Sequence, residues 1–248
     1  MEKIQIKNFH EFFDSILRTT QNEGNAKIWW RGQSNSSWPL IPKIYREGYE
    51  AFEESMNHRF MNKARSRYTN CPAKDDFSSW LFLMQHYGLP TRLLDWSESP
   101  LVALYFAVHN RKHDKEEGVL WGLNPIKLNL LESREQRIYL ATNKFAKPIF
   151  TAAFTLHKEA NSIKNCSVQT DEFDIRHMVQ LSVFTIHGRG NPLEELYANE
   201  GFLYKIVIPA EAKRTLRRSL RLLGVSESSI FPDLEHLAKD IEFTEFST

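Results

Sequence analysis

Thirty residues, Trp80 to His109 (WLFLMQHYGLPTRLLDWSESPLVALYFAVH), constrain this chain more than any other stretch. Leu81, Met84 and Gln85 fall at helical spacing, and Phe82 and Leu83 thicken the apolar face. Gly88 and Pro90 end that helix, because glycine tolerates positive φ and proline cannot extend a helix. Leu93, Leu94 and Trp96 form a short buried run. Ser99 and Pro100 read as N-cap and first helical residue, followed by Leu101, Leu104, Tyr105 and Val108 at i, i+3, i+4 and i+7. The stretch is therefore helix, loop, strand, helix. Gln85, His86, Thr91, Arg92, Asp95 and Ser97 are crowded between the apolar helices. Such groups must be hydrogen-bonded or must face a cleft.

The flanking sequence alternates helical and extended patterns. Asn8 and Glu11 form a capping pair for a helix through Phe9, Phe12, Phe13 and Ile16 to about Thr19. Lys27 to Arg31 is a short strand ending in Gly32 and Gln33, Ser34 to Ser37 a loop, and Trp38 to Pro42 extended. Tyr49 to Tyr68 reads as one long helix with a solvated basic face. Gly118 to Leu123 is a strand, Ile126 to Ala141 is helical in pieces, and Lys147 to Thr151 reads as extended. Leu156 to Phe173 carries no clear pattern. Arg176 to Phe184 is a turn or short helix leading into a strand, and Leu193 to Tyr197 a helical turn. Phe202 to Pro209 alternates as a strand. Glu211 to Leu223 is a helix that buries Leu216, Leu220 and Leu223, turns Lys213, Arg214, Arg217, Arg218 and Arg221 outward, and stops at Gly224. A last helix runs from Phe231 and Pro232 through Leu234, Leu237 and Ile241.

The expected architecture is α+β: a single compact domain over residues 1–248, with its core at about 9–237 and short mixed strands packed among helices. At 42% hydrophobic and 12% aromatic, the chain has ample material for a core. A net charge of +1 argues against nucleic-acid binding driven by bulk charge, while leaving local patches open. Cys71 and Cys166 lack metal spacing and suit a reducing compartment. With no signal peptide pattern and no long apolar run, the expectation is a cytoplasmic protein without a membrane span. His157, His177 and His187 lack ligand spacing, so no metal is expected. Gly188 to Pro192 (GRGNP) lacks the Gly-Lys-Ser/Thr ending of a P-loop.

Several blocks together resemble the FRG domain family, named for a Phe-Arg-Gly motif. They are Trp30-Arg31-Gly32-Gln33, Trp38-Pro39-Leu40 with Pro42 and Arg46, and the dense run from Gln85 to Ser97. The resemblance continues through Pro100, Ala103, Leu104, Phe106 and Ala107, pairs Arg176 with Gln180 and Phe184, and closes on Leu223-Gly224 and Phe231 to Leu234. Trp30 stands where the motif has Phe, and Ser182 where the family tends to Gly. The resemblance implies a bacterial toxin or anti-phage defence setting and a motif order similar to a divergent ADP-ribosyltransferase, an analogy at fold level.

On that analogy NAD⁺ is the co-substrate, and Arg31, Asp95, Ser97 and Gln180 are the candidate catalytic residues. Arg31, Gly32, Gln33, His86, Thr91, Arg92 and Trp96 are the candidate NAD-binding residues. Guanidinium suits pyrophosphate, aromatic rings suit nicotinamide, and a carboxylate best faces the developing oxocarbenium charge. Glu194 and Glu195 are the downstream carboxylates nearest Gln180, and Asp95 is the other source of negative charge. The acceptor is a nucleic acid or a protein, with an antitoxin or chaperone as a further partner. Plainer readings stand beside these. Arg31 and Asp95 are a buried salt bridge, Arg92 pins a loop, His86 is a core histidine, and the tryptophans pack the core. A non-catalytic module binding a nucleotide or a partner, and a nuclease using His86 and Asp95, are the alternatives.

Overall fold

A computed structural model describes residues 4–155, 160–170 and 175–246; His157 and the two ends of the patternless stretch from Leu156 to Phe173 lie outside the described residues. The elements in chain order are β1 (Ile4–Gln5), α1 (Phe9–Asn22), β2 (Trp29–Gln33), α2 (Glu53–Ala64), α3 (Phe77–His86), β3 (Leu93–Ser97) and α4 (Pro100–Val108). There follow β4 (Gly118–Leu123), α5 (Pro125–Ser133), β5 (Tyr139–Leu140), α6 (Lys147–Thr151), β6 (Asn165–Gln169), α7 (Ile175–Val179) and β7 (Ser182–His187). The chain continues with α8 (Leu193–Leu196), β8 (Leu203–Ile208), α9 (Lys213–Leu222), α10 (Glu227–Ile230) and α11 (Leu234–Phe246). The class is α+β, built on one mixed eight-stranded sheet in the order β1-β8-β4-β2-β3-β7-β6-β5. Among the described residues no helix is long and apolar enough to cross a membrane.

Local chemistry explains the elements that frame the centre. The Asn8 side chain accepts from Glu11 N at 3.0 Å while Glu11 Oε2 accepts from Lys7 N at 2.7 Å, a reciprocal cap for α1. Asp76 caps α3 and Ser99 caps α4, with Pro100 in the first turn where its missing N–H costs nothing. Gly88 follows α3 at φ +79°.

Four sequence expectations are corrected. The 49–68 helix is a 3₁₀ turn over Tyr49–Phe52 followed by α2, which stops at Ala64, whose carbonyl accepts from both Arg67 N and Tyr68 N. Lys147–Thr151 is helical rather than extended: Pro148 lies in the first turn, and Ile149 and Phe150 enter the core. Lys213 does not face outward. Its stem is buried and Nζ donates to Ser34 O (2.6 Å) and His113 O (2.7 Å). Leu223 lies beyond the end of α9 and is exposed.

One face of the sheet carries two separate cores. Over β3, β6 and β7, helices α2, α3 and α6 pack Met61, Trp80, Met84, Phe150 and Phe154 onto Leu93, Phe184 and Ile186. Over β2, β4 and β8, helices α1, α4 and α9 pack Phe12, Leu104, Val108, Leu216 and Leu220 onto Trp30, Leu120 and Ile206. A third cluster underlies both halves from the opposite face, joining Trp29, Leu94, Trp96, Trp121 and Val183 to Leu40, Leu193 and Tyr197.

The second of these cores depends on Gly32. A Cβ built at Gly32 would lie 1.8 Å from Ala103 O and 2.6 Å from Ala107 N, so only glycine allows α4 to lie on β2. Gly32→Ala is expected to cost about 3 kcal/mol or more through overpacking against rigid backbone. A denaturant melt with an unchanged midpoint would show that α4 does not approach β2 this closely.

Candidate functional site

The sheet changes character between β2 and β3. β2 pairs with β4 along five residues and β3 with β7 along five, but β2 and β3 share the single register pair Trp30↔Ser97. Beyond that pair the strands part. Arg31 enters the gap and its Nη1 donates to Asp95 O at 2.5 Å, taking a backbone acceptor left open at the seam. Nη1 lies 3.8 Å from Asp95 Oδ2, and Asp95 is half exposed, so the pair is not the buried salt bridge of the plainer reading. The Arg31 Nε is buried without an acceptor among the described residues.

A cavity of about 370 Å³ opens at this seam, between the helices of the two cores. Arg31, Gly32, Asp95, Trp96, Ser97 and Gln180 all line it, so the structure brings all four candidate catalytic residues to one place. Val102, Ala103 and Phe106 of α4 give it an apolar wall. Three further cations line it that composition and spacing alone do not single out: Lys43, Arg46 and Arg176. Arg46 Nε and Nη2 both donate to Ile41 O (3.2 and 2.6 Å), and Lys43 Nζ to Gly88 O (3.2 Å). The Arg176 guanidinium lies over the Phe231 ring, 4.7 Å from its centroid. Loop contacts from 39–48 and α7 bring these residues to the seam, and no local periodicity encodes such a convergence.

The lining therefore holds four cations, Arg31, Lys43, Arg46 and Arg176, against one carboxylate, Asp95. Burial pushes the Arg31 guanidinium down to about 10, with Asp95 opposing the shift and Arg46 adding to it. Burial also lowers Arg46, again against the pull of Asp95. Both stay charged at neutral pH. Asp95 Oδ2 accepts from Gln85 Nε2 at 2.7 Å, and Gln85 Oε1 accepts from Thr91 Oγ1 at 2.6 Å, so a polar chain holds the carboxylate at the rim. Ser97 Oγ donates to Gln180 O (2.7 Å) and accepts from Ser99 N (2.9 Å), locking β3 to both α4 and the turn before β7. Gln180 Nε2 donates to Ile230 O at 3.1 Å.

Of the remaining candidate NAD-binding residues, Gln33, His86, Thr91 and Arg92 do not line the cavity. Gln33 is buried, accepting from Trp121 Nε1 (2.7 Å) and donating to Pro39 O (3.3 Å). Thr91 is fully buried in the Gln85 chain and also accepts from Leu93 N. Arg92 is buried away from the cavity, with two bonds to the Glu53 carboxylate (2.9 and 2.5 Å) and others to Ile149 O and Ala152 O, which is the loop-pinning reading. His86 lines a small adjoining recess with Gln85, Asp95, Arg176 and Gln180. Trp96 is buried and its Nε1 donates to Thr185 Oγ1 (3.0 Å), so it presents only part of its surface to the cavity. Glu194 leaves the site altogether: both its oxygens accept from Leu40 N at 3.1 Å. Glu195 is exposed on α8. Among the described residues no group of three or more His, Cys, Asp or Glu could hold a metal ion.

Two measurements test this placement. Glu53→Gln leaves Arg92 buried without its counter-charge and is expected to cost about 3–5 kcal/mol, read from denaturant melts. A loss below about 1 kcal/mol would show that the pair is not buried as described. His187, beneath the seam on β7, is fully buried with Nε2 2.9 Å from Thr185 Oγ1. Burial, then the nearby Arg31, Arg189 and Arg92, push its imidazole down to about 3. The unfolded imidazole, at about 6.5, takes up a proton that the folded one refuses. Stability is complete above about pH 6.5 and falls as the pH drops from there toward 3. His187→Gln is expected to flatten the upper part of that fall, above about pH 5, where carboxylates titrate little; an unchanged slope there would assign it to other groups.

No curated protein and no solved structure gives a match to this chain. A family model does match, over the segment that runs from the residues before β2 to the loop before β4. It holds Gly32, the Gln85–Ser97 loop and α4, with Arg31, Lys43, Arg46 and Asp95 of the cavity, while Arg176 and Gln180 lie outside it. Residues 26–116 match the FRG domain.

Proposed function

We propose that the seam cavity binds NAD⁺ and that the protein is an ADP-ribosyltransferase-like effector, of the toxin or anti-phage defence kind, acting on a nucleic acid or protein acceptor. The observation that carries this reading is the charge pattern: four cations around one half-exposed carboxylate, at a break in a sheet. Clustered guanidinium and ammonium groups suit a pyrophosphate. A cavity of about 370 Å³ falls at the lower end of small-molecule sites, enough for part of a dinucleotide with the rest over the rim. The α4 wall, with Phe106, offers an apolar surface for a nicotinamide ring.

In this chemistry the bond between nicotinamide nitrogen and ribose C1′ breaks, and its electron pair leaves with neutral nicotinamide. The acceptor's nucleophile then bonds to C1′ and gives up its proton. Asp95 is the carboxylate available to face the positive charge at C1′, held by Gln85. Arg31, Arg46 and Arg176 neutralise the phosphates, and Gln180 and Ser97 shape the wall beside them. An enzyme of this kind also calls for a neutralising antitoxin or chaperone in its own cell.

A second reading, a non-catalytic nucleotide-binding module, is favoured by one observation: Glu194 is spent on Leu40, and the late position carries an amide, Gln180. Nicotinamide release and NAD⁺ calorimetry, with total RNA, DNA or lysate as acceptor, separate the two. Wild type is expected to release nicotinamide and Asp95→Asn to lose at least about 100-fold in rate while still binding. Arg31→Ala and Arg46→Ala are expected to weaken binding by about tenfold each. Binding without release in any condition would select the module, and no binding would remove both readings.

A further inference from the structure

A second groove, of about 810 Å³, lies between α4, α9 and α11 and shares no lining residue with the seam cavity. It holds six cations, Arg111, Arg214, Arg217, Arg218, Arg221 and Lys239, against Asp114, Glu227 and Asp240. That is an excess of three positive charges among the lining residues, six less three, or two once Glu235, 2.6 Å from Lys239, is counted, on a chain whose net charge is +1. The carboxylates are already engaged. Asp114 takes two bonds from Arg217 at 2.6 Å each, Asp240 accepts from Arg221, Ser226 and Ser228, and Glu227 lies 3.9 Å from His236.

Arg214 and Arg218 are exposed and make no ion pair with the described residues. They stand four residues apart, one turn or roughly 6 Å along α9, with Arg221 three further on the same stripe. Like charges at this spacing repel and cost stability. Arg217 adds to the stripe from below, anchored by Asp114 and by Val108 O at 2.5 Å. The groove wall also carries an aromatic pair: the exposed His109 ring stacks on Tyr105 with centroids 4.9 Å apart and planes at 15°. An open groove with a linear run of guanidinium groups and a stacked ring fits an extended polyanion bearing flat groups, rather than a compact anion.

We propose that this groove binds the phosphodiester backbone of a single-stranded nucleic acid, along Arg214, Arg218 and Arg221. The proposal does not rest on the transferase reading, because it involves none of the cavity residues.

The test is fluorescence anisotropy of a labelled single-stranded oligonucleotide, RNA and DNA in turn, titrated with the full chain across a salt series. Wild type is expected to bind with log Kobs falling linearly against log salt. The double variant Arg214→Gln, Arg218→Gln is expected to weaken binding at low salt at least tenfold and to reduce the slope by about 1.4, two phosphates at about 0.7 each. Replacing both by Lys restores the slope, which separates charge from misfolding. The titration is run without NAD⁺ and reads residues outside the seam cavity, so failure here and failure of the NAD⁺ reading are distinguishable. Unchanged affinity and slope in the Gln variant would overturn the proposal. So would equal competition by polyglutamate of matched charge, or equal binding of the corresponding duplex.

Discussion

The approach of α4 to the backbone of Gly32 is the contact on which the rest of the architecture depends. Helices usually stand off a sheet by the thickness of two side-chain layers. Here Ala103 and Ala107 meet a residue without a side chain, and helix backbone lies almost on strand backbone. Trp30, next to Gly32 but for Arg31, fills the space beside the helix with Leu104 and Val108. The helix thereby belongs to β2 while α3 belongs to β3, and the ground between them is open. Arg31 stands between Trp30 and the glycine, so the residue that enters the seam is set by its place in the strand.

Two buried charges hold the margins of this arrangement. Arg92 ties the loop before β3 to Glu53 of α2 and to carbonyls around α6. Lys213 ties the start of α9 to the carbonyls after β2 and before β4. Arg92 reaches 39 to 60 residues along the chain and Lys213 100 to 179 to satisfy backbone or carboxylate oxygens that would otherwise be stranded. Neither is available to a ligand, and both show how a polar residue in a motif can be conscripted by the fold. The cations left over, in the seam and along α9, are the ones with solvent in front of them.

Much of the centre was legible in the residues. α4 begins and ends where Ser99, Pro100 and the apolar spacing place it, and β4 runs from Gly118 to Leu123 as its pattern indicates. Ser97 and Gln180 meet although eighty-three residues separate them. What stayed hidden was long-range. The Lys147–Thr151 segment reads as extended by composition, yet the surrounding core needs Ile149 and Phe150 on one side of a helix. Lys213 lies in a run of basic residues that looks uniformly solvated, and only the register of α9 against β2 and β4 singles it out. Gln33, Thr91 and Arg92 carry site-like chemistry in sequence, but their partners, Trp121, Gln85 and Glu53, claim them. Arg46 and Arg176 converge on the seam cavity from segments before and after the Gln85–Ser97 loop, which no local pattern encodes.

The single register pair at Trp30↔Ser97 has a thermodynamic corollary. Two sub-sheets, each with its own helical roof, are coupled through the shared underside around Trp29, Trp96 and Trp121 and through a few side chains that cross the crack, Arg31 to Asp95 O, Gln180 to Ile230 O and Arg176 over Phe231. Such a body has the design of a hinge: a pliant joint between stiff leaves. With one register pair across the joint against five on either side of it, the ladder is weakest there, which makes the seam the place where local opening costs less than unfolding a leaf. Anything that grips both leaves at once would convert two loosely coupled cooperative units into one.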